Sequence, residues 1–71
     1  MQVRSVGYRN GGVPQIHTMD EGSTVADLYA ILSITSPRGT AVMVNGSSAD
    51  TSTALNEGDT VQYTQVNLKG A

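Results

Sequence analysis

The spacing of apolar residues changes along the chain, and each change marks an element. In "QVRSVGY", Val3, Val6 and Tyr8 are strand formers in loose alternation with polar residues, which predicts a first strand. "RNGG" follows, and Asn-Gly accepts the positive φ angles of a tight hairpin turn, so "VPQIHTM" is expected to return as a second strand. Pro14 has no amide proton to give a ladder, which puts this strand at a sheet edge or starts it there. The period then lengthens. In "DEGSTVADLYAILS", Val25, Leu28 and Leu32 fall on one stripe at helical spacing with Ile31 beside them. Thr24 is placed to cap that helix and Asp27 to answer it three residues on, an acidic form of the capping box. The helix is expected over roughly 24–33, because Pro37 and Gly39 punctuate the segment after it.

"TAVMVNG" predicts a buried strand ended by a tight turn at Asn45-Gly46. "SSADTST" is polar and is expected to be irregular, with at most a short edge strand. A turn at Asn56-Glu57-Gly58-Asp59 then precedes a last strand in which Val61, Tyr63 and Gln65 share one face. Strand, strand, helix, strand, loop, strand is the order of an α+β roll with one helix packed across a mixed sheet of four or five strands. The expected core is Val3, Val6, Val13, Ile16, Val25, Leu28, Ile31, Leu32, Val42, Val44, Leu55, Val61 and Tyr63.

Composition narrows the function more than the fold. Seventy-one residues make one domain near the lower size limit for a core without staples, and the absence of cysteine removes disulfides and thiolate metal sites. Only 14% of residues are charged, against about 25% in typical soluble domains. Serine and threonine fill the difference, and such a surface suits burial against partners as well as solvent, as β-rich folds in general do. With a net charge of −2 and Arg4, Arg9, Arg38 and Lys69 scattered, there is no basic stripe to neutralise phosphates, which argues against nucleic acid. The apolar runs are too short to span a membrane, so a cytoplasmic protein is expected.

Three features could be mistaken for a reactive site. His17 is the only histidine and reads as an ordinary strand residue, not a base or metal ligand. The carboxylate pairs Asp20-Glu21 and Glu57-Asp59 sit in turn and helix-entry segments, where capping and turn chemistry account for them. Gly11-Gly12 lacks the following helix and spacing of a phosphate loop. No catalytic set, cofactor or metal site is expected, and the chain reads as a non-enzyme.

"STVADL", "VMVNG" and "LNEGDTV" together resemble the ubiquitin-like β-grasp fold, most closely the ThiS/MoaD-type sulfur carriers of thiamine and molybdopterin synthesis. The resemblance runs by motif over roughly residues 22–70 and by pattern alone over the first hairpin. It divides the chain into a β-grasp domain, 1–66, and a flexible C-terminal tail, 67–71. It also implies a protein partner, an E1-like adenylating enzyme that activates a tail ending in Gly-Gly. The corresponding positions here are Gly70 and Ala71, so the terminal glycine is replaced by a residue with one more methyl. Leu68, Lys69, Gly70 and Ala71 are therefore the expected carrier-tail and partner-binding residues. The competing expectation is a binding or assembly module without tail chemistry, a subunit or decoration of a larger complex such as a viral or phage particle.

Overall fold

A computed structural model describes residues 1–8, 11–35 and 39–66. Six elements follow one another: β1 (Gln2–Gly7), β2 (Gln15–Thr18), α1 (Val25–Ile31), β3 (Thr40–Val44), β4 (Ser47–Ala49) and β5 (Thr60–Gln65). The strands form one sheet in the order β2-β1-β5-β3-β4. β1 and β5 run parallel at its centre and every other pairing is antiparallel. This is the β-grasp roll, with β2 at one edge as Pro14 requires and β4 at the other.

Local chemistry explains the element ends. At the helix start the Thr24 amide donates to Asp27 Oδ2 at 2.8 Å, the reciprocal half of the capping box. The far end comes sooner than the sequence suggests, because Ser33 takes a left-handed φ of 60°. The Ser33 amide then donates to the Ala30 carbonyl at 3.2 Å and the Ile34 amide to that of Tyr29 at 2.9 Å. This paired closure is a Schellman motif. Its stop signal is Ser33, ahead of Pro37 and Gly39.

Asn45 (φ 53°) and Gly46 (φ 85°) form the two-residue loop between β3 and β4, where Val44 faces Ser47. Asn45 is held from both sides. Its side-chain amide donates to Asp59 Oδ1 at 2.9 Å, and its Oδ1 accepts from the Thr60 amide at 3.0 Å. Asp59, itself buried, also takes the Asn56 amide at 2.8 Å and so closes the turn before β5.

The core lies between α1 and the sheet: Val3, Met19, Val25, Leu28, Tyr29, Leu32, Val42, Leu55, Val61 and Tyr63. Several expectations need correction. Val13 and Ile16 are 64% and 63% exposed and Ile31 is 50% exposed, while Val6 and Val44 are only half-buried. Gln65 is exposed although it follows the parity of Val61 and Tyr63. Met19 and Tyr29 take the missing places.

The reason on β2 is parity. Val3 pairs with His17 and Arg4 with Ile16, so Gln15, His17 and Met19 face the helix side and Ile16 faces away beside Arg4. Inside, the polar residues satisfy each other: Ser5 Oγ and His17 Nε2 are 2.8 Å apart.

Candidate functional site

The expected site is the end of β5, where the chain leaves the sheet. β5 lies between β1 and β3, so its exit is held on two sides. The last described bond there joins the Val66 amide to the Gly39 carbonyl at 2.7 Å. Beneath it, the Tyr8 hydroxyl bonds Thr40 Oγ1 at 2.9 Å, and the Tyr8 ring meets that of Tyr63 edge-on with centroids 5.2 Å apart. Gly7 makes this packing possible, since a Cβ there would come within 2.7 Å of the Tyr63 ring. The end of β5 is therefore packed by Tyr8, which follows β1, by Thr40 of β3 and by Tyr63 of β5 itself. Leu68, Lys69, Gly70 and Ala71 lie outside the described residues. Five residues beyond Val66 can reach about 18 Å at full extension.

The other chemistry-bearing residues fall where turn and strand roles use them. Ser5 and His17 do meet, a pairing the sequence does not announce because they lie on different strands. Ser5 is wholly buried and its hydroxyl is already engaged by His17, so the bond serves to tie β1 to the edge strand β2. Glu57 accepts the Gln2 amide at 2.8 Å, and the Ser23 hydroxyl donates to the Asp20 carbonyl at 2.7 Å. Among the described residues no three His, Cys, Asp or Glu side chains gather to hold a metal ion. No helix among them is long and apolar enough to cross a membrane.

A parallel β1–β5 core flanked by antiparallel hairpins, with one capped helix across it, defines the ubiquitin-like β-grasp class. Within that class the chain belongs to the ThiS family, whose model matches residues 8–62. It is a small sulfur-carrier-like protein in that sense, and the match stops short of residues 67–71. No curated protein matches at the sequence level.

Solved structures agree in fold. A protein from Pyrococcus furiosus described as molybdopterin converting factor subunit 1 is 18% identical, with a TM-score of 0.74 over 93% of this chain and 98% of its own. SAMP1 from Haloferax volcanii is 17% identical, with a TM-score of 0.72 over 99% and 100%. The thiamine biosynthesis protein ThiS from Geobacter metallireducens is 19% identical, with a TM-score of 0.62 over 96% and 99%.

Proposed function

We propose that this protein is a carrier that acts through residues 67–71 and works with an E1-like adenylating enzyme. The observation that supports the reading is membership of the ThiS family, joined to a β5 whose exit is fixed by the Val66–Gly39 bond. The carrier itself has no catalytic residue in this scheme. The terminal carboxylate attacks the α-phosphorus of ATP, pyrophosphate leaves, and a mixed acyl-phosphate anhydride forms. Sulfide or an amine then displaces AMP, giving a thiocarboxylate or an amide. Gly70 lets the chain thread a narrow channel, and Ala71 adds one methyl at the reacting end.

The test is mass spectrometry of the whole chain after incubation with the adenylating enzyme of the same genome, ATP and a sulfur donor. The expected product has one terminal oxygen replaced by sulfur, or a covalent adduct at the terminus. Ala71→Gly should react faster, and deletion of Gly70 and Ala71 should abolish the product. An unmodified terminus in the wild-type chain overturns the carrier reading.

A second reading, a binding module without tail chemistry, draws on the exposed Val13 and Ile16 around an edge strand. Such a module would keep its partner affinity after the same deletion.

A further inference from the structure

The strongest unassigned feature lies on the opposite side of the sheet from β2, between α1 and β4. A cavity of about 400 Å³ opens there, lined by Tyr29 from the helix, by Thr40 and Val42, and by Ala49, Asp50 and Thr51. A second hollow of about 260 Å³ shares Tyr29 and Thr51 and continues along Ala26, Ala30 and Ile34. The two form one groove, its walls kept low by alanines on the helix and on the strands. Its size falls within the range of ordinary ligand sites.

Three observations say what the groove would take. The first is Tyr29, only 3% exposed, whose hydroxyl is buried without a hydrogen-bond partner. A buried hydroxyl left unpaired is costly, and an acceptor entering the groove would relieve that cost. The second is the open edge of β4. Val44 and Ser47 close the two-residue turn as a hydrogen-bonded pair, so Met43 and Ser48 form the next, non-bonded pair. The Ser48 amide and carbonyl therefore face away from β3, toward an edge that no described strand pairs with. The third is charge. Among the described residues Asp50 is the only carboxylate on the groove, and no lysine or arginine lines either hollow. Its Oδ1 is engaged by the Ser52 amide at 3.0 Å and the Ser52 and Thr53 hydroxyls at 2.7 and 3.3 Å, which leaves Oδ2 at the rim.

We propose that this groove binds an extended, basic peptide segment of a partner protein. The segment pairs with Ser48 as an added strand and sets an apolar side chain beside Tyr29. It offers the Tyr29 hydroxyl an oxygen acceptor and lays a lysine or arginine against Asp50. The edge backbone groups favour a peptide over a small metabolite, which would leave them unused. The groove lies across the sheet from β2, and its described lining comes from α1, β3, β4 and the segments that follow α1 and β4.

The probe is a blocked hexapeptide of alternating lysine and valine, titrated into the 15N-labelled full chain, with a glutamate–valine peptide as the control. The lysine peptide should shift the amides of Tyr29, Ser48, Ala49 and Thr51 at about 1 mM or below, the weak range expected of so short a segment. The acidic peptide should shift none. Asp50→Asn keeps the Oδ1 acceptor and removes the charge, and should weaken binding about threefold, as for an exposed ion pair. Tyr29→Phe should weaken it by a similar factor while the free protein melts at the same temperature or higher, since no hydrogen bond is lost in the free state. Shifts confined to β2, equal response to both peptides, or no response at all would overturn the proposal. A lowered melting temperature for Tyr29→Phe would do the same, because it would mean that the hydroxyl already has a partner.

Discussion

The two edges of the sheet are made of opposite materials and behave in opposite ways. β2 and the residues before it supply Val13 and Ile16, both more than 60% exposed. β4 is Ser-Ser-Ala, yet the helix is tied to the segment that follows it. The Val25 amide donates to the Thr53 carbonyl at 3.0 Å, the Ala26 amide to that of Thr51 at 2.9 Å, and the Leu55 amide to that of Ser23 at 2.9 Å. The first turn of α1 is thus fastened to the chain between β4 and β5. A helix of seven residues is about 10 Å long. Five strands at their usual spacing spread over about 19 Å, so such a helix cannot cover both edges. Apolar character decides which residues could be buried. The reach and anchorage of α1 decide which of them are.

The sharpest way to break this comparison is to remove the helix's hold on the sheet. Leu28 is fully buried at the middle of α1, and Leu28→Ala should cost about 2–5 kcal/mol. In a domain of this size that loss can unfold the protein, which urea denaturation followed by circular dichroism will register. Next comes the anchor near the β4 turn. Asp59→Ala leaves the Asn45 side chain and the Asn56 amide without their acceptor, and should cost about 1–3 kcal/mol. Amide exchange should quicken first at Asn45 and Thr60 in that variant. Uniform quickening across β1 and β2 instead would mean that the two edges are not independent. Ile16→Thr, on the uncovered edge, should change stability by less than about 0.5 kcal/mol despite removing a large apolar side chain. A loss near that of Leu28→Ala would show that something covers β2 after all.

The same comparison separates what was legible in the sequence from what was not. The β3–β4 turn, the Thr24–Asp27 cap and the Asn56–Asp59 turn are local, so the residue types that make them also announce them. The order of elements and an α+β roll follow from these and from the helical stripe, and the β-grasp reading rests on the resemblance of the three motifs. Inward-facing Ser5 and His17 were not legible, because each is acceptable only in the presence of the other, and they are twelve residues apart. Their pairing inverts the parity of β2, sending Ile16 outward and Met19 inward. Tyr29 was missed for a related reason: its ring is core, but its hydroxyl marks the groove, and the walls come from β3, β4 and the next loop. Leu68 to Ala71, the expected carrier tail, are named by the resemblance alone, and the departure at Ala71 is a question for chemistry.

The smallest effect, and the finest test of the contrast, is the acid response of the β4 side. Hydrogen bonds from the Ser52 hydroxyl and amide, and secondarily from Thr53, hold the Asp50 carboxyl below its ordinary value of 3.8. A carboxylate whose folded pKa is depressed adds stability above its unfolded pKa, and that contribution fades as the pH falls through the lower, folded value. Carboxyl 13C titration should therefore place the Asp50 midpoint below 3.8, with the Ser52 and Thr53 amides moving in step. Ser52→Ala should bring the midpoint back toward 3.8, because it removes one of the bonds that select the ionised form. A wild-type midpoint at or above that value would mean that the Ser52 bonds do not form in solution, and would remove the fixed carboxylate from the β4 groove. Since Asp50 is open to solvent, water and salt screen its interactions, and the melting temperature should not follow the titration. Loosening confined to 50–53 is the expected result, with α1 still held to the sheet by Leu28.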